Sequence, residues 1–385
     1  MSKILNVEGQ TARRTKMHLP GFRAIYAGAL AVVLTLPWPV HALVINVTYD
    51  SSVTGAANAT QIESAYNLVV ANFETLYTNP ITVNITVYWG GSGFGNSQTE
   101  LVGNPSYSQL TSALKAGATT PEDTNTIASL PPSDPIGSSV CWVPRAEFKA
   151  LSQLASLFGL NPNDSQNDGN VYFASSGVTW TFDPLNRAVP GEYDFIAVAE
   201  HETSEVMGRI FSLNYPSGNG FVPYDLFRFT NGVRTLNPFD SDVYFSINNG
   251  LTELKPFNAV TSGTISSADP QDWMPTNLTD SFDWQLGPNA KGILSSADLT
   301  TLDILGYDLN FTPPKVAGTR LSNGNFEITF TNVTGLGFTV WGSTNITPPV
   351  TNWVKLGTPT ETSVGHYQLI DTTANKTRFY RVELQ

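Results

Sequence analysis

Cysteine is almost absent from this chain: Cys141 is the only one in 385 residues. No intramolecular disulfide can brace the fold, so stability must come from packing, a bound ion or both. No basic residue stands beside Cys141 to favour a thiolate, and it reads as a buried apolar side chain. Histidine is scarce as well, confined to His18, His41, His201 and His366. Positive charge is the minority sign, with 20 Lys and Arg against 32 Asp and Glu, a formal −12. Such a surface repels phosphate backbones and anionic headgroups, which argues against nucleic acid and lipid as partners. Fixed-period repeats and low-complexity tracts are missing too.

Long apolar runs are also lacking. The best, from Ala24 to Trp38, is short for a membrane span of about 20 residues. It follows Lys3, Arg13, Arg14, Lys16 and Arg23 and leads into Val40-His41-Ala42, the order of a secretory signal peptide cleaved after Ala42. Loss of residues 1–42 removes five Lys/Arg and one Glu and moves the formal charge from −12 to −16. The expected product is secreted or periplasmic, with no membrane insertion after cleavage. Nine Asn-x-Ser/Thr triplets read as Asn/Thr-rich surface.

What is present begins with β-branched alternation over 43–49 and 81–88, separated by helical spacing of Ile62, Tyr66, Leu68, Val69, Phe73 and Leu76 over 60–77. Helices are expected over 107–116 and 145–158, strands over 169–174 and 178–182, and a helix over 190–210. Residues 212–294 are rich in Gly, Asn, Pro and Asp and read as loops with short strands, a length that in compact domains is usually functional or held by an ion. A capped helix over 296–306 ends at Gly306, and Thr312-Pro313-Pro314-Lys315 marks a boundary. Short strands over 326–331, 337–342, 353–356, 367–370 and 378–384 then read as a small β-sandwich. The class is therefore α+β: a domain over 43–312 with a mixed sheet and one central helix, and an all-β module over 313–385.

The chemistry sits in Ala-Val-Ala-Glu-His-Glu-Thr-Ser-Glu-Val-Met-Gly-Arg, residues 197–209. Residues four apart share a helical face, so His201 and Glu205 can grip one ion. Glu202, about 100° around the helix, can reach water on that ion and act as general base. The ion would lower the water's pKa and polarise a carbonyl, as hydrolysis of an unactivated amide requires.

This helix resembles the active-site helix of zincin metallopeptidases, with Glu205 in place of the second histidine of H-E-x-x-H. It is similar above all to secreted bacterial metalloproteases carrying H-E-x-x-E-V-M-G-R. Two further stretches fit them: Tyr224-Asp225-Leu226-Phe227-Arg228, and residues 297–307, similar to the closing helix of matrixin-like and serralysin-like domains. The resemblance covers roughly 43–310 and implies a zincin-like catalytic domain acting as a zinc-dependent endopeptidase on protein or peptide. In metzincins the third ligand position would fall on Phe211, which cannot bind metal, and no other histidine of this domain can replace it.

Carboxylates are the remaining candidates for that ligand. Asp225 leads, 20 residues beyond Glu205, a separation similar to that of the acidic third ligand in gluzincins; Asp240, Asp242, Asp269 and Asp272 are its rivals. Tyr224 is a candidate for stabilising an oxyanion, Met274-Pro275 resembles a Met-turn, and Arg209 and Arg228 are placed to fix carboxylates. A His/Glu/Asp set is harder than one with two histidines, so manganese and iron stand beside zinc as candidate ions. The alternative function is a secreted or cell-surface binding protein on a degenerate zincin scaffold. Its working surface would be the C-terminal module, through glycan or cell-surface contact, although the aromatics of that module read first as core.

Overall fold

The computed structural model describes residues 42–91, 93–137, 141–213, 220–258, 269–276, 278–373 and 378–385. The signal-peptide expectation covers residues 1–42, of which all but Ala42 lie outside them. Among the described residues no helix is long and apolar enough to cross a membrane. The architecture is mixed α/β with several sheets, compatible with the expected α+β class.

The first sheet is built by β1 (Val44–Tyr49), β2 (Thr82–Trp89), β3 (Gly95–Thr99) and β4 (Gly169–Phe173), in the order β1-β2-β4-β3. β1, β2 and β4 run parallel, and β3 pairs antiparallel with β4 at the edge. Alternation explains how the sheet sits. Ile45, Val83, Ile85, Val87, Val171 and Phe173 are buried on one face, while Asn46, Thr48, Thr86, Tyr88, Gln98 and Tyr172 occupy the other. Two helices cover the buried face. α1 (Ala59–Leu76) crosses between β1 and β2 and buries Ile62, Tyr66, Val69, Phe73 and Leu76, at the spacing expected of it. α2 (Phe195–Met207) lies against β3, β4 and α1, and the Tyr66 and Thr203 hydroxyls meet at 3.0 Å across the two helices.

Several details depart from expectation. The helix expected over 145–158 is two, Arg145–Ala150 and Ser152–Phe158, broken at Leu151, whose ψ of 74° is not helical. The central helix begins at Phe195, because Tyr193 and Asp194 pair with Trp180 and Thr181 as extended chain and Asp194 is the N-cap. Pro121–Ser129 is a helix whose buried side chains are Asp123, Thr126 and Ser129, so it carries no apolar stripe; its signal is the Thr120/Asp123 capping box. β3 is a strand where none is expected, its residues Gly-Asn-Ser-Gln-Thr being polar throughout. The long segment over 212–294 holds short strands, as expected, with one sheet drawn from Arg228–Thr230, Val233–Arg234, Tyr244–Phe245 and Lys255–Pro256. Cys141 is buried, and its thiol pKa is driven well up by burial.

After the helix Ser296–Asp303, two antiparallel sheets complete the chain. One comprises Ala317–Arg320, Phe326–Thr331, His366–Asp371 and Thr360–Ser363; the other Val354–Gly357, Phe338–Ser343 and Phe379–Leu384. Phe330, Phe338 and Tyr367 pack with centroids 5.1 Å apart, joining the two sheets, so these aromatics are core as the sequence suggested. The 310–318 connection is mostly exposed, yet the two sheets that follow it are tied to the rest of the chain. Leu294 N–H donates to Gly335 O at 3.1 Å, Gly337 N–H to Leu294 O at 3.0 Å, and Asn72 Nδ2 to Thr334 O at 3.2 Å. Lys291 pairs with Glu361 at 3.0 Å.

Candidate metal centre

Asp194 starts the central helix by accepting hydrogen bonds from the Ile196 and Ala197 amides at 3.1 and 3.3 Å. Gly208 ends it at φ 134°, a conformation that a residue with a Cβ adopts only with strain. Between these ends the helix is buried almost throughout, which suits Phe195, Ile196, Val198, Val206 and Met207 but not Glu200, Glu202, Thr203, Ser204 and Glu205, all buried with them. Such a run of polar groups costs free energy unless each is partnered.

Thr203 meets Tyr66 and Glu200 meets Ser281, while His201 and Glu205 turn toward Asp272. His201 Nε2 lies 3.4 Å from Glu205 Oε1, one turn along, and 3.3 Å from Asp272 Oδ1, brought in by the irregular segment. One ligand atom from each of the three residues falls within 4.8 Å of the other two. The opposite ring nitrogen, Nδ1, is 2.9 Å from the Ser281 carbonyl, which can only accept, so Nδ1 carries the proton and Nε2 is left to face the carboxylates. A lone pair aimed at two carboxylates is repulsive unless a proton or a cation lies between them.

Each carboxylate is also held by neighbouring donors. Glu205 Oε2 accepts from Ser97 Oγ at 2.7 Å and Oε1 from Gln271 Nε2 at 2.9 Å. Arg209 Nη1 donates to Asp272 Oδ1 at 2.6 Å, and its Nη2 lies 3.5 Å from Glu205 Oε1. The Arg209 guanidinium also stacks on Phe282, 4.4 Å from the ring centroid. Burial opposes protonation of His201, but Asp272 and Glu205 outweigh it and hold its pKa well above the ordinary value. For Glu205, burial is likewise overcome by His201 and Arg209, and its carboxyl is pulled down. Glu202 moves the other way, driven well up by burial and by the charge of Glu205.

Glu202 lies against the edge strand β3. A Cβ at Gly95 would fall 2.2 Å from Glu202 Oε1 and 2.7 Å from Val198, so only glycine fits there. Glu202 and His201 line a cleft of about 270 Å³ with Phe94, Tyr193, Asp283 and Trp284 among its walls.

Of the residues expected at the site, His201, Glu202 and Glu205 are brought together and Asp225 is not. Asp225 Oδ2 accepts from the Val222 and Ser212 amides at 3.0 and 3.3 Å, capping the 3-10 turn Pro223–Phe227, and burial pushes its pKa to about 7. Its rival Asp272 is the carboxylate whose oxygen comes within reach of both His201 and Glu205. Asp269 also lines the cleft; Asp240 accepts from Asn237 Nδ2 and the Thr235 hydroxyl, and Asp242 from Ser241 Oγ. Tyr224 is buried with its ring against Phe245 and Phe257 and is not among the cleft residues, where Tyr193 stands instead. Met274 is 44 % exposed, which does not suit a Met-turn; Phe282 stands edge-on to His201 at 6.4 Å. Arg209 fixes carboxylates as expected, whereas Arg228 donates to Pro270 O at 2.7 Å and stacks on Phe211 and Phe257.

Searches of protein-family models, curated proteins and solved structures found no match to this chain.

Proposed function

We propose that this protein is a metal-dependent endopeptidase in which His201, Glu205 and Asp272 hold one divalent ion, zinc first and manganese or iron as alternatives. The single observation that carries the reading is the meeting of His201 Nε2 with Glu205 and Asp272 at 3.4 and 3.3 Å, with the ring's other nitrogen tied to Ser281 O. One imidazole and two carboxylates make a hard-leaning donor set that suits these ions. When bound, such an ion supplies an acidified water and polarises a scissile carbonyl.

The remaining work belongs to the chain's own residues. Burial and the charge of Glu205 favour the protonated form of Glu202; with a cation's charge beside it to offset them, Glu202, in the same cleft and outside the ligand set, would take a proton from water and return it to the leaving amine. Arg209 and Gln271 keep the ligand carboxylates aimed inward. Among the described residues β3 is an edge strand with one side unpaired, and Phe94 and Gly95 line the cleft, so an extended peptide can lie beside it as an added strand. The buried helix under a mixed sheet with an antiparallel edge supports a zincin-like domain, and the two C-terminal sheets joined by Phe330, Phe338 and Tyr367 support a β-sandwich module. Export remains the expectation of the amino-terminal sequence.

The test is hydrolysis of an unstructured protein such as casein by purified protein, before and after removal of metal with a chelator. Activity should vanish with the ion and return with about one equivalent of zinc. Zinc binding without any hydrolysis would favour the binding-scaffold alternative instead.

A further inference from the structure

Glu200, beside His201 in sequence, points away from the cleft and is fully buried. Its Oε2 accepts from Ser281 Oγ at 2.7 Å and lies 3.5 Å from Arg187 Nη2. Ser281 is thus held by its side chain while its carbonyl holds His201 Nδ1 at 2.9 Å. Arg187 donates through Nε to Asp194 Oδ2 at 2.7 Å, and Asp194 caps the start of the same helix. One buried cluster therefore ties the beginning of the helix, its middle and the segment carrying Ser281.

That segment is anchored on its far side as well. Ser281 N–H donates to Ile293 O at 2.8 Å and Ile293 N–H to Thr279 O at 2.9 Å, while Leu294, next along, pairs with Leu336 of the C-terminal region. The 335 position closes over the cluster: a Cβ on Gly335 would stand 2.9 Å from Arg187 Nη1 and 3.2 Å from Glu200 Oε1.

We propose that Glu200 and Ser281 are positioning residues for His201, fixing the ring's rotamer and tautomer so that Nε2 faces Glu205 and Asp272 before any ion arrives. The proposal rests on the metal-centre reading. A ring free to turn, or free to place its proton on the other nitrogen, must be reordered each time the ion binds.

The experiment measures zinc affinity of the full chain by competition with a chromogenic chelator, alongside the unfolding midpoint of the metal-free protein. Ser281→Ala removes only the hydroxyl and is expected to weaken zinc binding about ten- to hundredfold, the scale for losing an outer partner of a ligand. Glu200→Ala should match it, whereas Glu200→Gln still accepts from the Ser281 hydroxyl and should restore affinity to within a few-fold of wild type. A purely structural role would lower the unfolding midpoint and leave affinity, measured well below it, unchanged. If both alanine variants bind zinc within twofold of wild type while His201→Ala has lost it, the proposal is overturned and the metal centre stands. Should Glu200→Ala not fold, Ser281→Ala alone decides. If wild type itself binds no zinc, the metal-centre reading falls and takes this proposal with it.

Discussion

Glu202→Gln is expected to keep about one ion per chain and to lose at least about a hundredfold in peptide hydrolysis. The two halves of that result have separate causes. His201, Glu205 and Asp272 meet without help from Glu202, so the substitution leaves the ligand set intact. Glutamine has nearly the shape of glutamate and fits the space beside Gly95, but its amide cannot accept and return a proton at neutral pH. Atomic absorption on the purified variant gives the first half, and initial rates on a labelled protein substrate give the second. Hydrolysis at the wild-type rate would remove Glu202 from the mechanism while leaving the ion in place.

The second large effect separates two aspartates. Asp272→Asn should lose the ion, because an amide oxygen is a far poorer ligand than a carboxylate and only one imidazole and one carboxylate would remain. The expected loss of zinc affinity exceeds the ten- to hundredfold associated with an outer partner. Arg209 would also lose its charged acceptor at 2.6 Å, so the variant should unfold at a lower temperature. Asp225→Asn should leave the ion bound. Its cost is stability, about 1–3 kcal/mol, from weakening a buried carboxylate that accepts the Val222 and Ser212 amides. Zinc titration with thermal unfolding of both variants reads out the contrast, and loss of the ion in Asp225→Asn alone would reverse the assignment.

That contrast also marks where sequence reasoning ran out. His201 and Glu205 were legible because both lie on one helix, where a spacing of four is itself a distance. Glu202 followed from the same geometry. Asp272 lies 67 residues past Glu205, a separation that no periodicity encodes, so the resemblance to the gluzincin separation put Asp225 ahead of it. The carboxylate of Asp225 is used locally, as a cap, and the Val-Pro-Tyr-Asp run of residues 222–225 is the signal that could have shown it.

The parallel strands and α1 were legible for the reason His201 was: apolar residues recur at a fixed period. β3, which sets the cleft wall, was hidden because its sequence, Gly-Asn-Ser-Gln-Thr, carries no apolar alternation. Gly95 is needed there for what is opposite it, Glu202 and Val198, and a contact across the fold leaves no trace in local pattern. Tyr224 packs in the core, the commoner place for a large aromatic, and Tyr193 went unnoticed because it fell inside the helix expected over 190–210, whereas it lies in the extended pair before it.

The most direct test of the account is a crystal structure of the protein grown or soaked with zinc, with anomalous scattering recorded at the zinc edge. One strong peak is expected, bonded to His201 Nε2, Glu205 and Asp272, with bond lengths of about 2.0–2.2 Å. A peak at Asp225, or no peak within reach of His201 Nε2 at saturating zinc, would contradict it.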